Sequence, residues 1–89
     1  MTAVSTSIEQ QRFDRLVNLP PSAKLVFRVL QHDQPLTSQD IAEKTLLPKR
    51  TVRDALNRLD DADLAEGHVD PQQPRTQLYT PLPVAESGG

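Results

Sequence analysis

The stretch PLTSQDIAEKTLLPKRTVRDALNRLDDADL at positions 35–64 constrains the fold more than any other part of this chain. Thr37 supplies the hydroxyl of a helix N-cap, and Asp40 adds negative charge to the first turn. A helix over 38–45 then buries Ile41 and Ala42. Leu46 and Leu47 form a tight apolar turn, and Pro48 begins a second helix where its missing N–H costs nothing. That second helix, 49–61, has the sharpest pattern in the sequence. At about 100° per residue, Val52, Leu56 and Leu59 fall on one line with Ala55 beside them. The opposite line carries Arg50, Asp54, Asn57 and Asp61, flanked by Arg53 on one side and by Arg58 and Thr51 on the other. Two short helices therefore meet at a turn, and the second is apolar inside and hydrogen-bonding outside.

The flanking residues supply further elements. Residues 1–7 read as a disordered N-terminus, ending at Ser7, which with Gln10 matches a capping box. Phe13, Leu16 and Val17 predict a helix over 8–18, either a further core helix or a seam between two copies. Leu19-Pro20-Pro21 ends it and starts the next, 21–31, whose Ala23, Val26, Phe27, Val29 and Leu30 share one broad face. Leu36 is expected to pair briefly with a strand. Residues 64–69 and 75–80 read as two strands around DPQQP, with Thr76, Leu78 and Thr80 alternating against Gln77 and Tyr79. The two prolines of that turn are expected to exclude a paired ladder there. The domain is thus placed at 8–80, followed by a flexible tail over 81–89.

With 89 residues, one small domain with a modest core is expected. Phe13, Phe27 and Tyr79 are the aromatic set, so the core must come from Leu, Val, Ile and Ala. The absence of cysteine excludes disulfides, thiolate metal sites and cysteine nucleophiles. No run is long enough to span a membrane, and MTAVSTSIEQQ lacks the basic-then-apolar order of a secretion signal. A soluble, cytoplasmic protein is expected. No Ser-His-Asp set, glycine-rich phosphate loop or metal-ligand spacing occurs, so no enzyme, cofactor or metal is expected. Asp60, Asp61 and Asp63 read as a solvated turn, and His32 and His68 share no helical spacing.

The net charge is -2, yet it is unevenly placed. Lys49, Arg50, Arg53 and Arg58 are opposed only by Asp54. Residues 60–70 then carry Asp60, Asp61, Asp63, Glu66 and Asp70 with no Lys or Arg. A local basic face can hold phosphate on an acidic protein, with weak steering at long range.

The order helix, helix, brief strand, helix, helix, strand, wing, strand resembles the winged helix-turn-helix proteins of the MarR and TrmB kind. LPPSAKLVFRVL at 19–30, the 35–64 stretch and RTQLY at 75–79 carry the resemblance. More narrowly it is similar to small archaeal members that are little more than the DNA-binding domain. It implies a mainly α fold with a small β-wing (α+β). One departure is that DPQQPR gives the wing only Arg75, where wings usually carry more positive charge. Another is that MarR relatives have long terminal dimerisation helices, and here only 8–18 is available.

In such a fold the second helix enters the major groove with its N-terminal residues toward base edges. Arg50, Arg53 and Asn57 are then the expected base contacts, since arginine pairs bidentately with guanine and asparagine with adenine. Lys49, Thr51 and Arg58 are expected to hold phosphates. The plainer alternative is a solvated helix face with Arg50–Asp54 and Asp54–Arg58 pairs. Asp54 could accept from cytosine or orient its arginine neighbours. Thr37, Ser38 and Gln39 sit at a helix N-terminus, which can bind phosphate or simply be capped. Gln73 and Arg75 could reach DNA from the wing or form a polar tip. The expected function is a sequence-specific transcriptional regulator that binds double-stranded DNA as a homodimer on two half-sites. The alternative is a winged helix used for protein–protein interaction within a larger complex, which the acidic balance and the thinly charged wing favour. A separate ligand domain does not fit, so an effector would need a dimer interface or a partner.

Overall fold

A computed structural model describes residues 7–85. It contains four helices followed by a two-stranded antiparallel hairpin: α1 (Ile8–Val17), α2 (Pro21–His32), α3 (Ser38–Thr45), α4 (Lys49–Asp61), β1 (Ala65–Asp70) and β2 (Gln73–Pro81). This is a winged helix-turn-helix, mainly α with a small β-wing.

Helix α2 is the centre of the core. Ala23, Val26, Phe27 and Leu30 are fully buried along it, and α3, α4 and β2 all pack on it. Ile41 from α3 joins them, as do Val52, Ala55, Leu56 and Leu59 from α4. Phe27 is the one fully buried aromatic side chain among the described residues; aliphatic side chains do the rest. Each Leu or Ile side chain of this set is worth about 1.5–3 kcal/mol of burial. Val29, on the edge of the α2 stripe, is only half-buried.

The turn between α3 and α4 is pinned from inside. Thr45 donates its hydroxyl to the Ile41 carbonyl at 2.7 Å, and the same oxygen accepts from the Leu47 amide at 3.3 Å. Leu46 caps α3 in the left-handed conformation with φ 62°, its amide donating to the Ala42 carbonyl. Leu47 packs against the core. Leu36 exchanges both backbone hydrogen bonds with Tyr79 (3.2 and 2.8 Å), which ties the start of α3 to the base of the wing.

The wing departs from the sequence expectation. β2 begins at Gln73, so Pro74 lies inside a strand and the tight turn shrinks to Pro71-Gln72. The register runs regularly from Ala65↔Pro81 to Val69↔Gln77 and then jumps to Asp70↔Gln73. Pro74, Arg75 and Thr76 fall in that irregularity without register partners, so the proline sacrifices no ladder bond. Asp70 closes the turn by accepting from the Gln72 amide at 2.9 Å. Deeper in the hairpin, Tyr79 lies over Gly67, where a Cβ would sit 3.0 Å from the ring.

The expectation of a loose tail from residue 81 is corrected for 81–85. The Leu82 amide donates to the Leu64 carbonyl at 2.8 Å, Val84 packs on the core, and the Ala85 amide donates to the Glu9 carbonyl at 3.1 Å. Residues 1–6 and 86–89, part of the expected disordered termini, lie outside the described residues.

Helix α1 is attached by its arginines more than by its apolar face, and buries no residue completely. Arg12 reaches Asp63 at 3.4 Å and the Pro83 carbonyl at 3.0 Å; Arg15 reaches the Ala62 carbonyl at 3.1 Å. Leu16 packs against the core, whereas Val17 is exposed. The expected stripe thus divides: Leu16 faces inward, Phe13 is half-buried, and Val17 faces out. The Ser7–Gln10 capping box forms by half. Ser7 accepts from the Gln10 amide, while the Gln10 side chain reaches forward to Asp14.

Candidate nucleic-acid interface

The two helices of the central motif begin in opposite ways. At α3 the Thr37 hydroxyl accepts from the Asp40 amide (3.0 Å) and the Asp40 carboxylate accepts from the Thr37 amide (3.2 Å), a complete capping box. At α4 the N-cap is Pro48, which offers no side-chain acceptor, and the first turn holds no acid. Lys49 and Arg50 stand there instead, at the positive end of the helix dipole. The free amide groups of that turn and two exposed cations thus lie at the same end of one helix. This arrangement is unfavourable for an isolated helix and suited to an anion.

Around α4, Val52, Ala55, Leu56 and Leu59 face α2, so the opposite side is left to solvent. Lys49, Arg50, Arg53, Asn57 and Arg58 are exposed there, and Thr51 is half-buried at the edge. The possible pairing of Arg50 with Asp54 does not form. Asp54 turns instead to Arg58, whose Nε lies 2.9 Å from its carboxylate. Lys49, Arg50 and Arg53 have no ion-pair partner among the described residues. The cationic character therefore concentrates in the first half of the helix. Arg58 is engaged, though an exposed pair of this kind is worth only about 0.3–0.5 kcal/mol and exchanges readily.

The remaining residues singled out by sequence form a second group. Ser38 and Gln39 from the start of α3, and Gln73 and Arg75 from the wing, line one open cleft of about 690 Å³. Asp40, Thr76, Gln77 and Tyr79 also line it, which makes it more polar than cationic. Arg75 is exposed and Gln73 accepts from the Thr76 hydroxyl at 3.4 Å; the Gln39 amide is turned to Glu43. The fold therefore brings Ser38, Gln39, Gln73 and Arg75 together, and separately gathers Lys49, Arg50, Thr51, Arg53, Asn57 and Arg58 on α4. Sequence reasoning treated Leu46 as turn filler. The residue is 88% exposed, three positions before the cationic end of α4. The sequence carries no signal for this, since a left-handed cap ordinarily takes glycine or asparagine.

Among the described residues no group of His, Asp and Glu is placed to hold a metal ion, and no helix is long and apolar enough to cross a membrane. His68 sits 3.4 Å from Glu66 on the exposed face of the wing, far in sequence from His32.

No protein-family model matches the chain, and no curated protein matches it in sequence. Solved structures do match in fold. A probable transcriptional regulator from Pseudomonas aeruginosa superposes with a TM-score of 0.71 at 22% identity, over 79% of this chain and 54% of that one. MarR matches with a TM-score of 0.69 at 18% identity, over 80% and 51%. A MepR variant from S. aureus bound to an oligodeoxyribonucleotide matches with a TM-score of 0.68 at 22% identity, over 90% and 56%. The chain thus spans about half the length of the structures it resembles, and what they share with it is the winged-helix fold.

Proposed function

We propose that this protein is a double-stranded DNA-binding transcriptional regulator that lays α4 in the major groove. The observation that carries this reading is the solvent face of α4: unpaired Lys49, Arg50 and Arg53 beside an uncapped helix start. The same fold holding an oligodeoxyribonucleotide in the MepR structure supports it. Arg50 and Arg53 read guanine and Asn57 reads adenine, while Lys49, Thr51 and Arg58 hold phosphates. Ser38 and Gln39 meet the backbone across the cleft, with Gln73 and Arg75 a secondary contact from the wing. Two copies bind two half-sites as a homodimer, since one copy offers one reading helix. Three lysines, Lys24, Lys44 and Lys49, beside many aspartates fit a high-salt cytoplasm, and the archaeal, TrmB-like kinship rests on the motif resemblance alone.

Anisotropy titration of a fluorescent duplex tests this. Binding should weaken with salt at a slope of about −0.9 per phosphate neutralised. Arg50→Ala and Arg53→Ala should each cost about 1–3 kcal/mol of affinity. Unchanged binding by the double variant would remove α4 from the interface. Sedimentation with and without duplex reads the oligomeric state. A second reading, a winged helix that binds another protein, is favoured by the acids of residues 60–70 and the wing's single cation. It prevails if no duplex is bound even at low salt.

A further inference from the structure

Leu46 is the one exposed large hydrophobic residue among those described that also carries a left-handed backbone. Its φ is 62° and the residue is 88% exposed. Both facts work against the free protein. A side chain with a Cβ in the left-handed region costs roughly 1–2 kcal/mol, and glycine has no such penalty. The turn gains nothing from the isobutyl group. Its closure rests on Thr45 bridging Ile41 and Leu47, on the Leu46 amide donating to Ala42, and on Leu47 filling the apolar gap. Glycine or asparagine would keep every one of these. The side chain stands three residues before Lys49, at the end of α4 where the unpaired cations gather.

Resting on the DNA-binding reading above, we propose that Leu46 is a specificity residue that packs on the C5-methyl group of a thymine. The helix end beside Leu46 is the end that faces base edges in this docking mode. The thymine methyl is the apolar feature that base pairs present in the major groove. A rigid, solvent-facing aliphatic group on a pinned turn is complementary to it, and the cations of α4 provide the affinity that brings it there. Leu46 then gives a hydrophobic reading of A·T pairs next to the hydrogen-bonded reading by Arg50, Arg53 and Asn57.

The test begins with a preferred duplex selected from a random pool by the purified protein. Each thymine is then replaced in turn by deoxyuridine, which removes only the methyl group. The wild-type protein should lose about fourfold in affinity at one thymine per half-site, the worth of one buried methyl-sized group. Leu46→Gly and Leu46→Asn should bind the thymine and uracil duplexes equally at that position. Both variants should melt no lower than wild type, since each suits the left-handed backbone, so unfolding cannot account for the loss. Wild-type binding that is indifferent to every replacement overturns the proposal. So do variants that remain as sensitive as wild type, because another residue then reads the methyl. If no duplex is bound at all, the DNA-binding reading itself fails and this inference falls with it.

Discussion

Helices α3 and α4 are neighbours in one motif, yet their N-termini are built to opposite specifications. The α3 start has a reciprocal capping box and an acid on the positive end of its dipole. The α4 start has a proline, no acceptor, no acid and two cations. A capping residue is worth about 1 kcal/mol and a well-placed charge about 0.3–1 kcal/mol. On folding alone, α3 is close to satisfied and α4 is left with a deficit. The cost is borne because α4 is held by its buried face: Val52, Ala55, Leu56 and Leu59 tie it to α2 whatever its first turn does. Packing thereby releases the exposed end of α4 from serving stability, and that end can serve a ligand.

Charge reversal at the α4 start should break the comparison most forcefully. Arg50→Glu puts an anion where the dipole favours one, so the free protein should gain about 0.3–1 kcal/mol and melt higher. Duplex affinity should fall by more than the ~1–3 kcal/mol that loss of one arginine contact costs, because a repulsive charge replaces it. Stability and binding then move in opposite directions in one variant. A variant that melts lower and binds unchanged would mean that the α4 start is ordinary helix surface.

Thr37→Ala makes the converse change. It removes the acceptor for the Asp40 amide and should cost about 1 kcal/mol of stability, read from a denaturant midpoint. At temperatures where the variant stays folded, duplex affinity should change little, because Thr37 acts within its own helix start. An affinity loss as large as that of Arg50→Ala would show instead that the α3 N-terminus grips phosphate as directly as is proposed for α4.

The contrast between these helix starts also explains what was legible in the sequence. The fold class was readable because apolar spacing decided it: the Val52–Leu56–Leu59 line is buried, as is the α2 stripe apart from Val29 at its edge. The wing turn was misread because proline was taken as a bar to strand, whereas an irregular register accommodates Pro74. The attachment of 81–85 was not legible, since it rests on backbone hydrogen bonds from Leu82 and Ala85 that no side-chain pattern announces. On the candidate interface, residue types and spacing identified the polar face of α4. They left open which arginine Asp54 would choose, because both neighbours lie at the same helical spacing. The conformation of Leu46 was likewise invisible until the turn was closed.

Asp54 gives the smallest and most discriminating change. In the free protein its carboxylate pairs with Arg58 at 2.9 Å on an exposed face. Asp54→Ala loses about 0.3–0.5 kcal/mol with that pair and regains a similar amount from the better helix propensity of alanine. Stability should therefore barely move. Binding should strengthen severalfold if α4 meets DNA as proposed, since an anion leaves that face and Arg58 is freed for phosphate. The salt slope should steepen by up to about 0.9, the signature of one added phosphate contact. If affinity falls instead, and only on duplexes with a cytosine at one position, then Asp54 is itself reading that base and the pair with Arg58 is a resting arrangement. Either result assigns the middle of α4, between its cationic start and its acidic end, to one side of the comparison.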